Sequence, residues 1–292
     1  MSTSFPIPEL PLGLGQLSDR YDVVLSDVWG VIHNGRESFP LACEALRRFG
    51  AEVGPVVLIS NSPRPSRDVV SQLRELGVPD ASWTGFVTSG DATRHLLGAR
   101  ASQTAWMLGP DRDATLYEGL GLEFSSPDLA DFIACTGPFD DETETPADYR
   151  DRFELALSRG MDMICANPDK VVQRGGKLIY CGGALADLYA QMGGTVLMAG
   201  KPYGPIYDLS LAEAERLLGR RIDPSRVLCI GDGVPTDVLG ANAQGLDCLF
   251  VATGIHGAET MNSAGQLDAQ ATASLLAEAG AKAAYAMSDL VW

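Results

Sequence analysis

The feature that most constrains the fold is a set of short apolar runs that each stop at a polar residue. "YDVVLSD" ends at Asp27, "GPVVLISNS" at Ser60 and "RVLCIGDG" at Asp232. Each run is short and apolar on both sides, the mark of a strand buried on two faces of a parallel sheet. Helical spacing fills the gaps. "LACEALRRFG" sets Ala42, Ala45, Leu46 and Phe49 on one face, with Gly50 at its end. "SRDVVSQLRELG" does the same with Val69, Val70, Leu73 and Leu76, between Ser66 as N-cap and Gly77 as stop. "GFVTSGD" adds a third strand ending near Ser89. Late in the chain the rhythm returns as helix "YDLSLAEAERLLG", strand "RVLCIGDG", helix "DVLGANAQG" and strand "DCLFVATG". This alternation predicts an α/β fold, a three-layer Rossmann-like parallel sheet. Ligands bind at the carboxyl ends of such strands, so Asp27, Ser60 and Asp232 are candidates for one site.

The middle of the chain behaves differently. "TAWMLG", "ADFIACTG", "DMICANPD" and "GKLIYCGG" are strand candidates of their own, interrupted by the acidic stretch "GPFDDETETPADY". The economical division is a core of residues 1–90 plus 196–292 with an α/β domain, residues 91–195, inserted into it. The chain is 292 residues long and 46% hydrophobic, enough for two such domains.

Its formal net charge of −16 comes without any Lys/Arg cluster, which argues against nucleic-acid binding and for a soluble, cytoplasmic protein. No apolar run reaches the 18 or so residues that a membrane helix needs, and "MSTSFPIPELPLGLG" lacks the form of a signal peptide. The six cysteines show no CxxC spacing and read as reduced core thiols.

Four pieces in chain order carry the chemistry: Asp27 in "DVWGV", Ser60 in "ISNS", Lys201 in "MAGKPYGPIY", and Asp232 with Asp237 in "CIGDGVPTDV". Taken singly, each is an ordinary turn or cap. Taken together they suit phosphoryl transfer. A carboxylate can attack phosphorus, and a Ser hydroxyl at a helix start can hold a phosphoryl oxygen. A Lys can oppose the negative charge, and paired Asp residues can hold Mg²⁺.

In these residues the sequence resembles the haloacid dehalogenase (HAD) superfamily, in subclass IIA, the NagD-like phosphatases with a C2-type cap. The resemblance rests on "DVWGVIHNG", "ISNSPRPS", "ANPD", "GGAL", "GKPYGPIY" and "GDGVPTDVLGANAQG", and runs through nearly the whole chain. It implies that Asp27 is nucleophile and metal ligand, and that the backbone carbonyl of Trp29 is a second ligand. It implies that Ser60 and Asn61 hold phosphate, that Lys201 stabilises charge, that Asp232 binds Mg²⁺ directly, and that Asp237 binds it through water or steadies Lys201. Asn167 and Asp169 would lie on the cap, residues 91–195. His33 and Arg64 are further candidates for substrate contact, although His33 reads better as a surface or interface residue. The implied substrate is a small phosphorylated metabolite. Relatives that pair through the cap make a homodimer a further implication.

One departure matters. Most phosphatases of this superfamily carry Asp where this chain has Trp29, and that Asp protonates the leaving oxygen. Indole does no acid–base work near neutral pH. Losing one positioned acid lowers rate by about 10²–10⁴. Three readings follow. The first is a Mg²⁺-dependent phosphatase or phosphotransferase whose acid comes from the cap, from His33, from water or from the substrate, or whose leaving group needs none. The second is a non-catalytic binder of phosphorylated metabolites. The third is a dehalogenase, which leaves Asp232 and Asp237 without a task.

Overall fold

The computed structural model describes residues 6–174, 177–254, 256–262 and 264–292. It divides into two compact units, one of Met1–Ser60, Gln72–Phe86 and Tyr207–Trp292, the other of Asn61–Ser71 and Val87–Ile206.

The first unit is built on a six-stranded sheet. Its order is Tyr285–Met287, Asp247–Val251, Val227–Gly231, Val23–Ser26, Val56–Ser60 and Gly85–Thr88. The registered pairings from Tyr285–Met287 across to Val56–Ser60 are all parallel. Val23–Ser26 and Val227–Gly231 are buried at every position, as expected of strands covered on both faces. The order also fixes where a site belongs. From Val23–Ser26 the chain moves outward through Val56–Ser60 to Gly85–Thr88, whereas from Val227–Gly231 it moves outward in the other direction. The switch point therefore lies between these two neighbouring strands, whose carboxyl ends deliver Asp27 and Asp232.

The helix Pro40–Glu52 starts with proline at its first turn and buries Ala42, Cys43, Ala45, Leu46 and Phe49. It runs past Gly50, the expected stop, because nothing there requires a left-handed residue. At the next helix, Ser66–Glu75, the expected stop is real: Gly77 takes φ +80°, and Val78 N–H returns to Leu73 C=O at 2.9 Å. Among the elements that escaped the sequence reading are the helix Ala269–Glu278 and the edge strand Tyr285–Met287. That strand is pinned by the N-terminal segment, with Glu9 pairing to it and the Tyr21 hydroxyl contacting Tyr285.

The second unit carries a parallel sheet of five strands, ordered Val196–Met198, Met163–Cys165, Phe132–Cys135, Thr104–Leu108 and Glu123–Phe124. Alternate residues supply two cores. Trp106, Leu108 and Ile133 pack with Tyr149, Phe153 and Tyr189, while Ala105 and Phe132 pack with Leu97, Leu116 and Tyr117. "GKLIYCGG" does not join this sheet: Lys177–Tyr180 pairs antiparallel with Val171–Arg174 as a separate two-stranded sheet. The helix Ser89–Gly98 was also missed; its start is a capping box between Thr88 and Asp91. All six cysteines are buried free thiols. No helix among the described residues is long and apolar enough to cross a membrane.

Candidate active site

Asp27 leaves the end of its strand with its N–H on Ile230 C=O at 2.8 Å, which ties the two central strands together at the point where both stop. The Ser26 hydroxyl donates to Asp27 C=O at 2.9 Å. Asp232 follows Gly231 directly. Asp237 lies in the π-helical turn Val234–Val238, where its carboxylate accepts from Gly233 N–H at 3.0 Å. Single turns of this type recur at functional sites.

Asp27, Asp232 and Asp237 are buried, and each offers a carboxylate oxygen within 4.8 Å of the others. Three buried like charges this close oppose one another. A hard divalent cation with oxygen ligands resolves that conflict, so the donor set fits Mg²⁺. The backbone is shaped around these carboxylates. A Cβ at Gly254 would fall 2.0 Å from Asp232 Oδ2, and one at Gly231 would fall 2.1 Å from Asp237 Cγ. Gly30 combines both demands: φ is +85°, and a Cβ there would sit 2.2 Å from Asp232 Oδ2.

Trp29 turns onto its own loop. Its indole fills the space beside Gly35, where a Cβ would meet Cη2 at 2.4 Å, and packs edge-on against His33 at 5.1 Å between ring centroids. His33 is buried, not a surface residue, with only 2% of its area exposed. Burial lowers its pKa to about 4, so the ring is neutral at pH 7. Gly35 N–H donates to its Nδ1 at 3.0 Å, which puts the single proton on Nε2. The exposure of His33 was misjudged because the loop "GVIHNG" folds back under the indole.

The other expected residues fall in the second unit, apart from Ser60, which is half-buried at its strand end. Lys201 and Asn61 are buried together. The Asn61 Oδ1 accepts from Lys201 N–H at 2.7 Å, and its Nδ2 donates to Lys201 C=O at 3.1 Å and to Asp169 Oδ1 at 2.8 Å. Asn167 Oδ1 accepts from Asp169 N–H at 3.1 Å, closing the "ANPD" turn. Arg64 takes Ser62 Oγ on its N–H at 3.3 Å, and its charge acts on the buried Asp113.

Fold and site together define a class: Rossmann-like α/β proteins with an acidic centre at the switch point of the sheet. Comparison with known proteins gives the family. Residues 24–123 match the model of haloacid dehalogenase-like hydrolases, and residues 198–279 match a second HAD-hydrolase-like model. The crystal structure of a haloacid dehalogenase-like hydrolase from Brucella suis 1330 is 43% identical. Its match takes in 97% of this chain and 100% of that one, with a TM-score of 0.86. A 5'-nucleotidase of Bacillus subtilis is 27% identical over 82% of this chain and 91% of its own. A glycerol phosphate phosphatase from Mycobacterium tuberculosis, solved in complex with magnesium, is 26% identical. There the match takes in 83% of this chain and 71% of that one, with a TM-score of 0.63. The chain belongs to the haloacid dehalogenase-like hydrolases, in subclass IIA.

Proposed function

We propose that this hydrolase is a Mg²⁺-dependent phosphatase or phosphotransferase for a small phosphorylated metabolite, working in the cytoplasm. The observation that carries the reading is the convergence of Asp27, Asp232 and Asp237, buried within 4.8 Å of one another at the switch point. The relatives' activities on nucleotides and glycerol phosphate agree with it. Asp27 attacks phosphorus and the ester oxygen departs, leaving a phosphoryl group on the carboxylate; water then releases phosphate. Bound at Asp27, Asp232, Asp237 and the Trp29 carbonyl, Mg²⁺ would offset the charge of the phosphoryl oxygens. Ser60 holds a phosphoryl oxygen, and Lys201 supplies positive charge during transfer. The inserted segment, about residues 91–195, serves as a cap that excludes water and selects the substrate.

Trp29 sets the character of the reaction. With its indole packed on His33 and Gly35, the position offers no proton to the leaving oxygen. His33 is neutral and keeps a proton only on Nε2, so it is a weak acid. Turnover therefore favours esters whose leaving group needs no protonation.

The test is a panel of phosphate esters and acyl phosphates with Mg²⁺ and with EDTA. The reading expects metal-dependent release of phosphate and its loss in Asp27→Asn. Metal binding without turnover of any member would instead support the binder that Trp29 also allows.

A further inference from the structure

Asn61 ties together three segments distant in sequence, all within the second unit. The residue is buried, with 4% of its area exposed, and its side chain pairs with both backbone groups of Lys201, as a neighbouring strand would. The same amide reaches Asp169 in the "ANPD" turn, so it bridges sequence separations of 140 and 108 residues. Its orientation is dictated. Lys201 N–H demands an acceptor and Lys201 C=O a donor, so Oδ1 and Nδ2 cannot exchange places. Both Nδ2 hydrogens are then committed, one to Lys201 and one to Asp169. A phosphoryl oxygen needs donors, and this side chain has none left to give.

The surroundings are built for this contact. A Cβ on Gly200 would fall 2.7 Å from Asn61 Oδ1, 2.5 Å from Ser89 Oγ and 2.8 Å from Pro168 Cγ. Any side chain there would drive the amide and the turn apart. Asp169 is fixed in turn by its N–H to Asn167 Oδ1 and by Gly183 N–H to its own C=O at 3.0 Å. A chain of contacts thus runs from the start of the helix Gly182–Gln191, through "ANPD" and Asn61, to Lys201.

We propose that Asn61, oriented by Asp169, is a positioning residue that sets the backbone of Lys201, and that "ANPD" acts on the reaction through Lys201 instead of by touching substrate. The proposal rests on the role given to Lys201 above.

The test is a double-mutant cycle with two readouts: kcat and KM for p-nitrophenyl phosphate with Mg²⁺, and hydrogen exchange at the Lys201 amide. In Asn61→Asp a carboxylate faces both Asp169 and Lys201 C=O. The expected result is a fall in kcat of roughly tenfold or more with little change in KM, together with faster exchange at Lys201. Asp169→Asn alone should leave exchange at Lys201 slow, because its amide oxygen still accepts from Asn61. Added to Asn61→Asp it should restore part of kcat and of the slow exchange, because its NH₂ can then donate to the new carboxylate, whereas Lys201 C=O still lacks its donor. No rescue would overturn the proposal and return Asn61 to direct phosphate contact. Unchanged exchange in Asn61→Asp would also overturn it. If Asn61→Asp does not fold, Asp169→Ala serves: kcat and Lys201 protection should fall together, and a fall in kcat with exchange unchanged would refute the clamp. Exchange does not depend on turnover, so an inactive parent would sink the phosphatase reading while leaving the clamp to be judged by exchange alone.

Discussion

Gly30→Ala probes the acidic centre without touching a carboxylate. Two effects separate cleanly. The backbone at Gly30 has φ +85°, and forcing alanine into the left-handed region costs about 1–2 kcal/mol, enough to lower Tm by a few degrees. The new methyl would also stand 2.2 Å from Asp232 Oδ2, where ordinary contact begins at 3.4 Å. The carboxylate or the loop must therefore give by about 1.2 Å, the difference of those two distances. Mg²⁺ holds its ligands at about 2.0–2.1 Å with little tolerance, so a retreat of that size breaks the bond. We expect Mg²⁺ affinity to fall by roughly 10–100-fold, the usual effect of disturbing groups that orient metal ligands. Gly219→Ala is the control: φ is +67°, and nothing lies within 4 Å of the new methyl. It should share the loss in Tm and leave Mg²⁺ affinity unchanged. Isothermal titration with Mg²⁺ and thermal melts on both variants give the answer. Equal affinity in Gly30→Ala and the parent would refute the placement of the metal against Asp232.

Three further outcomes are expected. Gly240→Ala would set a methyl 2.1 Å from the buried Tyr207 hydroxyl, just after the turn that carries Asp237, and should lower both Tm and Mg²⁺ affinity; unchanged affinity would show that the turn absorbs the strain. Burial raises the carboxyl of Asp113 above its ordinary range, against the smaller opposing pull of Arg112, Thr136 and Arg64. The folded protein thus binds this proton more tightly than the unfolded chain, whose carboxyl titrates at about 3.9, and this group's contribution to stability falls as pH rises past that value. Asp113→Asn, which keeps an acceptor for Thr136, should raise Tm at pH 7, with the gain shrinking toward pH 4; a loss at pH 7 would contradict the sign. Asp27→Asn should abolish turnover of every phosphate ester, and residual activity near the parent's would remove Asp27 as nucleophile.

Asp27 and Asp232 were legible in the sequence because each closes an apolar run buried on both faces, and the sheet order then places the two side by side. Asp237 was legible from its spacing, but its π-helical turn was not, since five residues carry no periodicity. The short strand Tyr285–Met287 was hidden in an Ala-rich stretch, and its partners, the strand Asp247–Val251 on one side and a bridge from Glu9 on the other, lie away from it in sequence. Val171–Arg174 and Lys177–Tyr180 form a partly exposed pair whose composition does not distinguish it from a parallel strand. Lys201 was visible as a motif, whereas the contacts of Asn61 were not. Its partners lie 108 and 140 residues away, and only the folded chain brings them to one amide. His33 was misread for a related reason: its burial comes from the Trp29 indole folding over its own loop.

The central claim is that Asp27 takes a phosphoryl group while Trp29 leaves the departing oxygen without an acid. It is tested most directly by kcat/KM with Mg²⁺ across leaving groups of graded pKa, from acetyl phosphate and p-nitrophenyl phosphate to an alkyl phosphate such as glycerol phosphate. The account predicts a steep dependence, with the alkyl ester slower by about 10²–10⁴, the contribution of one general acid. A flat dependence would contradict it and require another group to deliver the proton.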